Sequence, residues 1–121
     1  MEALVDKGLV KNIGVSNFNV QLLWDMMSYA KIKPVVNEVE LHPYNTQDNL
    51  LKFLRQEEIV PIAYCPLGMG EKLNLLCHDL IVSLAQKYSC SPAQIMLSWG
   101  IARKSVVIPR STNLGRISEN F

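Results

Sequence analysis

At 121 residues, with 49% apolar and 19% charged side chains and a formal net charge of +1, the chain reads as a soluble globular protein. It carries no basic field to hold nucleic acid, and its longest apolar runs fall well short of the roughly 18 residues that span a bilayer. Glu2, Asp6 and Lys7 do not make the basic start and apolar core of a signal peptide, so a cytoplasmic protein is expected.

Glu2 to Lys7 reads as the tail of a helix closed by Gly8, and Leu9 to Asn12 leads into a short strand, Ile13-Gly14-Val15. Val20 to Tyr29 places Val20, Leu23, Trp24 and Met27 at helical spacing behind an Asn19 cap. After a connector the next strand is Val35 to Leu41, ended by His42-Pro43-Tyr44. Asn45 with Asp48 three residues on resembles a capping box for a helix running to about Glu57.

Ile59 to Tyr64 is short and apolar enough to be a strand buried on both faces. Met69 to Asp79 reads as a loop, followed by a helix from Leu80 to Tyr88. Ser91-Pro92-Ala93-Gln94 supplies a cap, a proline at the first helical position and a glutamine three residues after the cap, opening a helix to Lys104. The fourth strand is Ser105 to Ile108. Cys65, Cys77 and Cys90 are too scattered and odd in number for a disulfide framework, and Cys77-His78 lacks a second pair to hold zinc.

Strands separated by helical crossovers lie parallel, with right-handed connections. The fold class is therefore α/β, a partial (β/α)8 TIM barrel of four strands, since a complete barrel takes about 250 residues.

Function in such a barrel sits where strands end. Ser16 both donates and accepts, and Asn17 carries an oxygen and an amino group, so the pair matches both halves of an amide. After Ile108, Pro109 stops the strand, and Asn113 is placed to cap a helix from Leu114. Free backbone N–H groups then meet beside Arg110 and Arg116, and Arg116 in a first turn opposes the helix dipole unless an anion sits over it. Read alone, this stretch fits either a phosphate site or a solvated helix start with two surface arginines. The Ser16-Asn17 pair likewise fits a polar turn, and Tyr64 fits rim packing. His42 and Tyr44 have nothing evident to orient them and read as loop packing rather than an acid pair.

Four strand-end motifs resemble those of the aldo-keto reductases in the family's own order. Gly14-Val15-Ser16-Asn17-Phe18 resembles G-x-S-N-F/Y, and Asn37-Glu38-Val39-Glu40-Leu41-His42-Pro43 resembles N-Q-x-E-x-H-P with Glu38 in place of Gln. Ala63-Tyr64-Cys65-Pro66-Leu67-Gly68 resembles A-Y-S-P-L-G, and Ile108-Pro109-Arg110-Ser111 with Arg116-Ile117-Ser118-Glu119-Asn120 resembles I-P-K-S and R-I-x-E-N. The resemblance covers residues 1–121 and implies the C-terminal half of the family's barrel, with the shorter-looped members nearest.

It implies that Ser16, Asn17 and Glu38 meet the nicotinamide carboxamide of NADPH, and that Tyr64 stacks on the ring. Leu67 and Gly68 would let backbone approach the pyrophosphate, with Cys65 replacing a hydroxyl by a weaker donor. Ile108, Pro109, Arg110, Ser111, Thr112, Asn113 and Arg116 would form the 2′-phosphate stretch, and Glu119 and Asn120 would meet the adenine. Two cations favour NADPH over NADH. The implied reaction is reduction of an aldehyde or ketone, while the family's Asp, Tyr, Lys and His tetrad matches no motif here, so no turnover is expected from the chain alone. A non-catalytic scaffold resembling the potassium-channel β-subunits stays open as an alternative, and unpaired barrel edges make self-association an expectation.

Overall fold

Local capping sets where the helices begin. In the computed structural model, which describes residues 1–68 and 73–121, the helices are α1 (Glu2–Asp6), α2 (Val20–Tyr29), α3 (Asp48–Gln56), α4 (Asp79–Tyr88), α5 (Pro92–Ala102) and α6 (Leu114–Glu119). The strands are β1 (Val15–Ser16), β2 (Val36–Glu40), β3 (Val60–Tyr64) and β4 (Val106–Val107), hydrogen-bonded in the order β1-β2-β3-β4. Every connection between neighbouring strands passes through at least one helix, which makes them parallel. Part of the loop expected from Met69 to Asp79, residues 69–72, lies outside the described residues, and Leu75–Cys77 form one 3-10 turn.

The chain divides into two compact units, Met1–Val39 with Gln47–Ile62, and Glu40–Thr46 with Ala63–Phe121. In the first, Asn19 caps α2 by accepting from the Leu22 N–H at 2.9 Å. Leu23, Val39, Leu50, Leu51, Leu54 and Ile59 form its core. The Glu2 carboxylate accepts from the N–H groups of Lys31 at 2.7 Å and Ile32 at 2.8 Å, and these bonds, the one from Ile32 foremost, hold its pKa below the usual carboxylate value. Asn37 is fully buried: its amino group donates to the Phe18 carbonyl at 2.8 Å, and its oxygen accepts from the Phe18 N–H at 3.4 Å. That pair fixes the turn leaving β1.

Several expectations change. The first strand is Val15–Ser16 rather than Ile13 to Val15, because ladder pairing with β2 begins at Val15 opposite Asn37, and Ile13 contributes only a carbonyl to the Val35 N–H. Asn45 does not cap α3: the cap position is Gln47 in a left-handed conformation without a side-chain cap bond, while the Asn45 amino group donates to the Glu40 carbonyl at 3.0 Å. β3 is covered on one face only, with Pro61 and Ala63 buried, Ile62 half-buried and Val60 43% exposed.

In the second unit, Leu41, Ala63, Leu75, Ala85, Met96 and Leu97 form the core. His78, at the surface, caps α4 by accepting from the Leu80 N–H at 3.2 Å. The capping box of α5 is complete: Ser91 Oγ accepts from the Gln94 N–H at 3.2 Å, and Gln94 Oε1 accepts from the Ser91 N–H at 3.0 Å. Ser91→Ala is expected to cost about 1 kcal/mol, typical for a lost cap, read as a lowered urea midpoint at unchanged slope. Arg103 lies over the Trp99 ring, 4.8 Å from its centroid, and donates to the Thr46 carbonyl at 2.9 Å, which anchors the turn after β2.

Candidate functional site

The segment after β4 folds onto the start of α5. Leu67, Leu76, Pro92, Ala93, Arg110, Ser111, Arg116, Glu119 and Asn120 line one pocket of about 220 Å³. Gln94 braces it, since its amino group donates to the Glu119 carbonyl at 3.0 Å while its oxygen serves the α5 cap. The turn carrying Leu67 is held by a 2.9 Å bond from the Gly68 N–H to the Cys65 carbonyl, with Cys65 at φ 48° and Gly68 at φ 77°. The left-handed φ favours glycine at this position, and a Cβ there would press on the Leu75 Cδ1 methyl at 2.9 Å.

Two amides at the start of α6 are already in use. Asn113 Oδ1 accepts from the Arg116 N–H at 3.0 Å, and Ser111 Oγ accepts from the Asn113 N–H at 3.1 Å. Asn113 is thus the cap that was expected, and its side chain turns to the backbone. With only six residues in α6, Arg116 stands in the first and the last turn at once, and the dipole argument loses its sign. The cationic side chains of this stretch are the two guanidinium groups of Arg110 and Arg116. Neither Arg110 nor Arg116 forms an ion pair with a carboxylate among the described residues.

Thr112 is exposed, Ile108 is 43% exposed, and Pro109 lines a separate pocket with Val107, Ile117, Asn120 and Phe121. Tyr64 and Cys65 are half-buried at the end of β3. His42, expected to lack an orienting partner, is 2% exposed and held at both nitrogens: Nε2 lies 3.0 Å from Glu40 Oε1, and Nδ1 accepts from the Tyr44 N–H at 3.2 Å. Those contacts place the ring proton on Nε2, donated to Glu40. The turn His42–Asn45 closes on itself and creates this geometry, which residue spacing does not reveal.

In the first unit a second cluster forms at the end of β1. Ser16 is opposite Glu38 in the ladder, its hydroxyl donates to the Glu38 carbonyl at 3.0 Å, and it accepts from the Asn17 amino group at 3.2 Å. The Asn17 N–H also reaches the Glu38 carbonyl, at 2.8 Å, and Asn17 itself is left-handed at φ 59°. The model of the Aldo/keto reductase family matches residues 1–121, the whole chain.

The chain belongs to the aldo/keto reductase family. It is 51% identical to aldose reductase B of Dictyostelium discoideum, covering 100% of this chain and 39% of that protein. It is 42% identical over 132 residues to a "Probable NAD(P)H-dependent D-xylose reductase" of Aspergillus flavus, covering 41% of it. The structure of the aldose reductase from Schistosoma japonicum matches all of the chain with a TM-score of 0.94 at 36% identity, over 38% of its own length. The chain therefore spans about two-fifths of the relatives it matches, and its fold is part of the aldo/keto reductase TIM barrel. Among the described residues no helix is long and apolar enough to cross a membrane.

The pocket walls that sequence reasoning missed are Leu76, Pro92 and Ala93. The capping box located the start of α5, but the second bond of Gln94, to a carbonyl 25 residues away, left no local signal.

Proposed function

We propose that this chain forms the NADPH-holding part of an aldo/keto reductase that reduces aldehydes or ketones to alcohols. The carrying observation is the convergence of Arg110, Ser111, Arg116, Glu119 and Asn120 on one pocket, with two guanidinium groups free of carboxylate partners among the described residues. That donor set fits a phosphate: each guanidinium is planar, permanently charged and able to pair bidentately with phosphate oxygens. Arg110, Ser111, Thr112 and Arg116 hold the 2′-phosphate in this reading, along the stretch Ile108 to Asn113, and Glu119 and Asn120 face the adenine.

Ser16, Asn17 and Glu38 take the carboxamide. With its only proton committed to the Glu38 carbonyl, Ser16 is left to accept from the carboxamide amino group. Tyr64 offers a ring face for offset stacking. Leu67 and Gly68 bring backbone close to the pyrophosphate, in a turn whose left-handed φ at Gly68 favours glycine, and Cys65 lies beside it. When bound, the dinucleotide supplies hydride. A proton donor must complete carbonyl reduction, and no residue of this chain matches the family's Asp, Tyr, Lys and His motifs.

Titration of the chain with NADPH, followed by nicotinamide fluorescence and then an aldehyde-reduction assay, is expected to give binding without turnover. Turnover by this chain alone overturns the reading that none of its residues supplies that proton.

A further inference from the structure

We propose that Glu38 sets which redox form of the dinucleotide is held more tightly, favouring the oxidised, cationic nicotinamide over the reduced, neutral one. This rests on the cofactor reading above and adds a charge selectivity to it.

Glu38 is the ladder partner of Ser16, and partners directly opposite in adjacent strands project from the same face of a sheet. Its carboxylate is therefore carried on the Ser16 face, opposite to the buried Asn37. The position is held firmly: the Glu38 carbonyl accepts from Ser16 Oγ at 3.0 Å and from the Asn17 N–H at 2.8 Å. Glu38 is half-buried, and no ion pair involves it among the described residues. The carboxylate therefore extends from an anchored stretch of backbone, on the Ser16 face and partly shielded from solvent.

The ring carries one positive charge when oxidised and none when reduced. A neutral glutamine, the residue the family's pattern places here, bonds the carboxamide alike in both states. An ionised glutamate also accepts from the carboxamide, but its charge acts on the ring only in the oxidised state. At a separation of several ångströms and an effective dielectric of a few tens, that difference is worth on the order of tenfold in relative affinity. In carbonyl reduction it strengthens product inhibition by NADP+ and favours hydride donation by the bound reduced form.

The test compares the chain with Glu38→Gln, a near-isosteric change, in calorimetric titrations with NADPH, NADP+ and adenosine 2′,5′-bisphosphate, which has the adenine and the phosphate but no nicotinamide. The expected result is a shift of about tenfold in the ratio of the two dinucleotide Kd values, away from NADP+ in the variant, with the bisphosphate unaffected. An unchanged ratio with all three ligands binding overturns this inference and leaves the cofactor reading standing. A loss common to all three on substitution also overturns it, because the charge is then not sensed at the nicotinamide. Failure of every ligand, bisphosphate included, to bind the unsubstituted chain overturns the cofactor reading and this inference together.

Discussion

Replacing Arg116 by alanine is expected to weaken NADPH binding by about 10- to 100-fold while leaving NADH binding nearly unchanged. Hydrogen bonds to charged groups contribute about 1.5–3 kcal/mol each, and every 1.4 kcal/mol is tenfold in Kd. Arg116 has no carboxylate to hold among the described residues, and its backbone N–H is capped by Asn113 whatever the side chain does, so truncation removes the guanidinium and little else. Arg110→Ala should act in the same direction. Arg116→Lys should fall between, because lysine keeps the charge and loses the planar fork. Both arginines are exposed, so raising the salt should shrink the NADPH advantage. Parallel titrations with the two dinucleotides decide the matter, and an equal loss for both contradicts the phosphate assignment.

The parts of the fold written in local chemistry were legible from the sequence. Asn19, Ser91 with Gln94, and Asn113 all cap where their residue types and spacing placed them. Asn45 misled for a physical reason: the same amide that caps a helix can equally satisfy a carbonyl, and here it takes that of Glu40. Strand lengths were overestimated at β1 and β4 because apolar runs mark extended backbone, whereas a ladder needs a neighbour in register. The residues proposed to hold the cofactor rest on their resemblance to family motifs, and Leu67, Arg110, Ser111, Arg116, Glu119 and Asn120 among them line one pocket. The walls Pro92 and Leu76 were not legible, because they reach the pocket only through tertiary folding. At the α6 start two amides, those of Asn113 and Arg116, are taken by the Ser111 and Asn113 side chains, a local use of side chains on their own backbone.

Gly14→Ala is expected to destabilise the chain by about 2–3 kcal/mol, the upper part of the range for forced overpacking. A Cβ at this position would lie 2.3 Å from Val36 Cγ2 and 3.1 Å from the Val36 carbonyl oxygen, well inside the 3.5–4.0 Å that carbon contacts prefer. Val36 cannot turn away freely, because a β-branched side chain is stiff about χ1, and its carbonyl is β2 backbone next to Asn37, which pairs with Val15. Relief must come from parting β1 from β2. That movement separates Ser16 from Glu38, so carboxamide contacts should weaken along with stability. Gly8→Ala is the comparison: Gly8 has φ 67° but open space around its Cβ position, and the left-handed backbone alone costs about 1–2 kcal/mol. Steric overlap and backbone strain are then separated by a third substitution, placed in both backgrounds. Val36→Ala in the Gly14→Ala background should recover at least about 1 kcal/mol, a coupling typical of residues in contact, and should recover nothing in the Gly8→Ala background. Urea unfolding of these four variants and of Val36→Ala alone measures this, and strict additivity of Gly14→Ala with Val36→Ala would falsify the clash as the cause.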